Sequence, residues 1–580
     1  MRNVVFLPLD DRPCCWQFPQ RLAQIAQVDL LLPPRALWGG EDKRQPERAN
    51  PEGPKLLAWL KAASTSSFSA KQNGAEEAPS LLVSADALFY GGLVASRRPR
   101  PPYMVAPLLQ RLLVELTGCS LYLFSVIMRV APTQYTAAEV EGALRLTKLS
   151  QQFAQELEQC YAAAEQTEES AATCTTAVHS EDALVVAAVS QVAAAEVAHT
   201  EKNYRELNIR RRAAEAQVLS ARNWSSLYEL APAFWQQYLG FRRRKDEINE
   251  LLLEAWTKRA QTEACGGGFL ALCLDDSKTS GLNLWEAKFL QERLNSCSSA
   301  SVGVGTDETA TLLLARAVCG HSSLEIVWPY AGAEEQVGRY EGKNLAQVLA
   351  SQAQWLNAVL LPEGQSGPGS AVPQIFIYAP WQSQLEACSQ ADAKADLPEP
   401  LWSAWQQKVA ASLEAGKQVY IADLAYANGG SRQLVSWLIE SGAVAKIAGY
   451  SAWNTLGNAL GTILAWAALA SWRRACPEFS SSIAEQARFA KEQRRFLLER
   501  LLDDYFYQTL IRPQLSAKVG GAFVLLGKEQ QLALESEILT QEKSYLAQLV
   551  QAWPEKELSP SLKVELPWRR LFEVGLEVEL

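Results

Sequence analysis

Three histidines in a chain of 580 residues leave little room for imidazole chemistry. His179 and His199 fall in a stretch of helical character. His321 precedes a strand, at the end of an α/β unit opposite to the one that carries function. A Ser–His–Asp or Cys–His mechanism therefore has no visible base, and a zinc site built on histidines is not expected. The eleven cysteines are scattered, with no CxxC pair; Cys14 and Cys15 are adjacent. Their odd total fits reduced thiols in a cytoplasmic protein. Phosphate cradles are also missing: there is no GxxxxGK[ST], and "YANGGSRQ" (Tyr426–Gln433) lacks GxGxxG spacing. The opening "MRNVVFLPLDDRP" has an apolar stretch only one strand long, broken by an Asp pair, too short for a secretory leader. The apolar run "ALGTILAWAALASW" (Ala459–Trp472) falls short of the roughly 20 residues a membrane span requires and reads as a buried helix. A net charge of −9 argues against a nucleic-acid partner. No cofactor, metal or membrane partner is expected; oligomeric state stays open.

What is present is a repeating pattern of short apolar runs, each ending in polar or small residues and followed by helical spacing. The runs are Asn3–Asp11, Ser80–Gly92, Ser120–Arg129, Phe269–Asp276, Ser301–Glu308, Leu324–Ala331, Gln374–Trp381, Lys417–Gly430 and Lys446–Thr455, with Val28–Pro34 as a further candidate. Continuous apolar strands alternating with helices predict an α/β fold with a parallel sheet. About eight strands favour a (β/α)8-like barrel, with a doubly wound sheet as the alternative that periodicity cannot separate. Residues 134–262, rich in Ala, Glu, Gln and Arg, read as a helical insertion. It divides the barrel into 1–133 and 263–474, and 475–580 reads as a small, mostly helical C-terminal domain closed by a strand pair.

Both architectures put function at the carboxyl ends of the strands. Those positions hold Asp10, Asp11 and Arg12; Asp86 and Tyr90; Arg129; Asp275 and Asp276; Asp307 and Glu308; Tyr330; Asp423, Tyr426 and Asn428; and Tyr450, Trp453, Asn454 and Asn458. Carboxylates with amides and aromatics suit a sugar, since rings stack on C–H faces and acids and amides bind hydroxyls. A carboxylate pair can also cleave a glycosidic bond. The stretch "LCLDDSKTSG" (Leu272–Gly281) is the focus: Asp275 and Asp276 are adjacent acids ending an apolar strand and need a reason to be together. Any single strand-end Asp is more often the N-cap of the next helix, and Arg12 could simply neutralise Asp10 or Asp11. The coincidence over five or six strand ends shifts the balance.

The motifs "FLPLDDRP", "ALFYGGLVASR", "VIMRVAPT", "DDSKTSGLNLWE", "GTDETATLLLAR", "DLAYANGG", "YSAWNTLGNALG" and "LPWRRLFEV" together resemble the bacterial domain-of-unknown-function family 4127, nearly end to end and in order. Family members usually read "GADE" and "YED" where this chain has "GTDE" (305–308) and "YEG" (340–342). The adjacent aspartates also resemble the catalytic pair of glycoside hydrolase family 84, the O-GlcNAcase-like enzymes. That likeness implies Asp275 orienting a substrate acetamido group and Asp276 acting as general acid.

The resulting expectation is a carbohydrate-active enzyme taking a small-molecule or glycan substrate. Asp275 and Asp276 would be catalytic. Asp10, Asp11, Arg12, Asp86, Tyr90, Arg129, Asp307, Glu308, Asp423, Asn428, Tyr450, Trp453 and Asn454 would bind substrate. Two rivals stand beside it: a metal-dependent hydrolase or lyase with Asp10, Asp11, Asp275 and Asp307 as ligands, and a non-catalytic sugar-binding or scaffolding protein.

Overall fold

The computed structural model describes residues 3–38, 53–69, 79–97, 101–131, 137–172, 210–221, 231–261, 267–294, 297–367, 370–381, 396–553 and 560–580. His179 and His199 lie outside them. The chain divides into two compact units, one of residues 1–129, 241–279 and 297–580, the other of 130–240 and 280–296.

In the first unit the apolar runs become strands: β1 (Asn3–Leu7), β2 (Asp29–Leu31), β3 (Ser80–Ser84), β4 (Ser120–Ile127), β5 (Gly268–Leu274), β6 (Ala300–Val304), β7 (Ser322–Val327), β8 (Ala358–Pro362), β9 (Gln374–Tyr378), β10 (Val419–Asp423) and β11 (Gly449–Ser451). All pair in parallel, but not as the expected ring. They form two sheets, of order β2-β1-β3-β4-β5-β6 and β11-β10-β9-β7-β8. Counted from its own first strand, each sheet starts one strand in from an edge, steps out to that edge and then continues on the other side. This is doubly wound winding, the arrangement that the run pattern had left as the alternative. Strands buried on both faces read the same in either architecture, so the apolar pattern carried no information on closure. The strand β8 was not anticipated, because it is a half-exposed edge with little apolar signal.

The core between these layers is clear in one element. The helix Leu456–Ala475 is buried on every side from Leu456 to Ala470, and Trp466 is completely covered. It packs on β10 and β11 and against the helices Pro13–Ala26 and Thr309–Cys319. Among the described residues no helix is long and apolar enough to cross a membrane. Farther on, β12 (Ser561–Glu565) and β13 (Gly575–Glu579) form an antiparallel pair.

The described parts of 134–262 are helical. In the second unit the helices Ala137–Ala172 and Leu282–Leu294 meet through aromatics: Tyr161 sits edge-on to Trp285 and Phe289, at 5.7 and 5.2 Å.

Candidate functional site

Helix Pro13–Ala26 begins directly after β1, with Pro13 supplying a preset φ at its first position. Arg12 takes the capping position without a side-chain cap, which leaves its guanidinium free to pair. Its Nε donates to both Asp10 oxygens at 3.0 Å. Nη1 and Nη2 grip Asp307, beyond β6, at 3.1 and 2.6 Å. Glu573 stands 3.8 Å from Nη1. Arg12, Asp10, Asp307 and Glu573 are all buried. Burial pushes Asp307 up to about 6 against the pull of Arg12. Asp307 thus is not a helix cap. It is the far half of a planar, two-pronged Arg–carboxylate pair.

The segment between β12 and β13 closes over this cluster. Trp568 has two guanidinium groups near its ring, Arg12 at 5.3 Å and Arg570 at 4.6 Å from the ring centre. Its indole N–H donates to Asp11 at 2.8 Å. Trp568 and Arg569 both sit in the left-handed region, with φ of 56° and 51°. Such a conformation costs on the order of 1–3 kcal/mol per non-glycine residue, so the clasp is held by its contacts rather than by local preference. A groove of about 380 Å³ beside it is lined in part by Asp11, Trp16, Arg35 and Pro567; Asp275 and Asp276 do not line it.

Beyond β5, Asp275 accepts from Arg97 at 3.0 Å, and Asp276 accepts from Arg129 at 2.7 Å. The two acids are pushed in opposite directions. Burial disfavours ionised Asp275, but Arg97 and Arg129 outweigh it and hold the carboxyl below its usual range. Loss of water and then the Asp275 charge push Asp276 up in spite of Arg129. The Asp276 side chain is 40% exposed, against 8% for Asp275. Charge links this pair to the first cluster, since Asp275 adds to the upward push on Asp307.

A third group lies behind. Glu308 accepts from Gln352 at 3.0 Å and from Asn458 at 2.6 Å, and burial raises it to about 8. Glu341 accepts from the backbone N–H of Gly457 at 3.0 Å, its other oxygen is out of water with no hydrogen bond, and burial raises it to about 7. The small residues of "LGNALG" are what make room. A β-carbon on Gly457 would stand 3.1 Å from an oxygen of each glutamate, and one on Gly461 would stand 2.3 Å from Glu308 Cγ. The loop after β7 brings Glu341 here. Ser277 donates its N–H to Tyr340 O and its hydroxyl to Glu341 O, the latter at 2.7 Å. Gly342, where the family usually has an acid, has φ 62°, and a β-carbon there would lie 2.1 Å from Lys278 O. This loop has no space for that carboxylate.

Several expected binding residues are placed elsewhere. Asp86 accepts from the Val126 N–H at 2.7 Å and from Lys245, and Lys245 also lies 5.4 Å from the Tyr90 ring centre. Asp86, Lys245 and Tyr90 are buried, so this is an internal ion pair tying the strand ends to helix Pro232–Ala260 and not a substrate contact. Asp423 accepts from Ser431 N–H and from the Tyr450 hydroxyl at 2.6 and 2.9 Å, and burial raises it to about 7. Asp504, on the π-helical stretch Leu501–Ile511, accepts from Ala452 N–H and from Arg500, each at 2.7 Å. Tyr450 has no exposure, and Trp453 packs edge-on to Phe18 at 6.0 Å. Neither ring offers a face to a ligand, which corrects their expected role as walls of a sugar pocket. Asn428 and Asn454 hold the left-handed turns that stitch these loops, with Asn428 N–H donating to Asn454 O at 2.7 Å. Asn454 reaches the acids through Asn458.

The structure brings together Asp10, Asp11, Arg12, Arg129, Asp275, Asp276, Asp307 and Glu308 as expected. It adds Arg97, Glu341, Gln352, Trp568 and Glu573. Arg97 and Trp568 stand inside quoted motifs, which was a usable signal. Gln352 had none, because it comes from a helix middle; Glu341 stood in "YEG" (340–342), but nothing there tied that loop to the strand ends. As for metals, the set Asp10, Asp11, Asp275 and Asp307 does not converge: Asp10 and Asp307 share Arg12, and Asp275 belongs to Arg97 and Arg129. Among the described residues the three-donor group is Cys14, Cys15 and Asp307, within 4.8 Å, and Arg12 already occupies Asp307 and touches Cys15 at 3.7 Å. A cation there would meet a guanidinium.

Fold and site thus define a doubly wound parallel α/β protein with interleaved acids and arginines at its strand ends. The chain belongs to the family described as protein of unknown function DUF4127, which it matches over residues 4–182 and 187–577. No curated protein and no solved structure matches it significantly.

Proposed function

We propose that the protein is a carbohydrate-directed hydrolase in which Asp276 is the proton donor and Asp275 its ionised partner. The observation that carries this reading is the opposite displacement of two adjacent carboxyls: Asp275 is pulled down by Arg97 and Arg129, and Asp276 is raised and alone of the pair substantially exposed. Two carboxyls driven apart by their surroundings are the usual basis of an acid/base division of labour. On this reading Asp276 protonates the leaving glycosidic oxygen as the C–O bond breaks. Asp275 holds a donor group of the substrate, an acetamido N–H in the substrate-assisted version, and water completes hydrolysis with Asp276 taking back its proton. Glu341 lies behind the pair, near enough for the Asp276 charge to add to its upward push.

The test is hydrolysis of a panel of fluorogenic aryl glycosides, N-acetylhexosaminides included, by wild type and Asp276→Asn, each with and without EDTA. EDTA-resistant turnover lost in the variant supports the assignment. Turnover that survives Asp276→Asn overturns it.

A further inference from the structure

Parallel doubly wound sheets take ligands outside the carboxyl ends of the strands, at the point where the strand order reverses. The two sheets share one winding, so there are two such points, β1/β3 and β7/β9. The first is filled by the protein itself, with Arg12 between Asp10 and Asp307 and Trp568 over it. The second is furnished differently. Trp328 and Tyr330 leave β7, and Trp381 leaves β9. Tyr330 and Trp381 meet edge to face with ring centres 4.7 Å apart. All three aromatics are part-exposed, whereas Tyr378, which ends β9 itself, and Tyr450 on β11 are covered completely. The Tyr330 hydroxyl and Gln336 Nε2, the latter at 3.0 Å, both donate to the Pro380 carbonyl, which fixes the corner. The other end of that amide, Gln336 Oε1, is out of water and has no donor. Glu334 and Glu335 on the adjoining turn make the corner unfavourable for an anion.

We propose that this corner is a binding subsite for a neutral oligosaccharide, with Trp328, Tyr330 and Trp381 offering ring surface to a sugar's C–H face and Gln336 holding the Pro380 corner that presents them. The inference rests on the carbohydrate reading above and extends it. The loop that begins at Trp328 ends by docking Tyr340 and Glu341 on Ser277, next to Asp276. A chain of sugars, rather than a single one, is the ligand such a layout serves.

The experiment is calorimetric titration of the full-length Asp276→Asn protein with chitotetraose and, separately, cellotetraose. Binding of at least one tetraose is expected. Adding Trp381→Ala should weaken it by about tenfold or more, Gln336→Leu should weaken it to a smaller extent, and Trp381→Phe should retain most of it. Tyr103→Ala, an exposed aromatic on another helix, should leave it unchanged. Thermal melts establish that each variant is folded. Equal affinity in Trp381→Ala, or no binding of either tetraose at millimolar concentration, overturns the subsite. Tetraose binding that depends on Trp381, in a protein whose wild type cleaves no aryl glycoside, leaves the subsite standing and removes the hydrolase assignment. Turnover of aryl glycosides with tetraose binding indifferent to Trp381 does the reverse.

Discussion

Beyond β1 the chain places Asp10, Asp11 and Arg12; beyond β7, the equivalent strand of the other sheet, it places Trp328, Pro329 and Tyr330. One winding has therefore been given two kinds of strand end. The first is saturated with charge, and every member of the Arg12 cluster is covered by another part of the chain. The second is aromatic and partly open, with Glu334 and Glu335 on the turn beside it. The difference teaches that topology fixes where a crevice forms, and that side-chain chemistry then decides whether the protein fills it or leaves it for a ligand. It also separates the acids by burial. Asp10, Asp307, Glu308 and Glu341 are inside, and Asp276 faces out.

Removing one partner from the filled crevice is the sharpest way to break this comparison. Arg12→Ala strands Asp10 and Asp307 as buried, uncompensated charges, so a loss of about 3–5 kcal/mol is expected by denaturant unfolding at neutral pH. Trp381→Ala, in the other crevice, should lose far less. Similar losses in the two would mean that both crevices are structural.

Asp276→Asn should behave in the opposite sense to Arg12→Ala. Its side chain is part-exposed, so stability should hardly change, while turnover of a cleaved glycoside falls about a hundredfold or more. A variant that is clearly destabilised but keeps its specific activity would assign Asp276 to the scaffold.

The glutamates behind the pair sharpen the comparison through pH. Burial raises Glu341 from the ordinary 4.5 to about 7 and Glu308 to about 8. Between the unfolded and folded values the native state holds more protons, so their contribution to stability is full below about 4.5 and is lost as pH rises through 7 to 8. Glu341→Gln removes one of these protons from the balance. Melting temperatures measured from pH 5 to pH 8.5 should fall less steeply in the variant, with the gain at the alkaline end. Parallel curves would show that Glu341 is ionised throughout.

The smallest effect expected is in the clasp. Trp568→Phe keeps a ring beside Arg12 and Arg570 but deletes the N–H bond to Asp11, for a loss of about 1 kcal/mol in chemical unfolding. A loss as large as that of Arg12→Ala would make Asp11, and not the stacked ring, the anchor of the C-terminal segment.

Much of this was legible beforehand, and the reasons are local. Runs such as "FLALCL" are apolar on both faces and end in acids, so strand, burial and strand-end carboxylates could all be read from consecutive residues. The Arg12–Asp10 pair was likewise readable, because the partners are two positions apart. Tyr450 and Trp453 misled for the same reason: the chain shows that an aromatic ends a strand, but whether its face meets solvent or Phe18 depends on residues hundreds of positions away. Glu341 stood in view in "YEG" but without a role, since an acid in a loop acquires meaning only when that loop docks on Ser277.

By itself, then, the amino-acid order determined the α/β class, the strands and the chemical type of their ends, since hydrophobic periodicity and turn residues act over a few neighbours. Closure into a ring or division into two sheets was decided by strand pairing, which leaves no trace in a strand buried on both faces. The same holds for which acids are neutralised, which are raised and which face out. Those properties come from desolvation and charge between residues brought together from β1, β5, β6, the loop after β7 and the C-terminal clasp, and only the folded chain sets those distances.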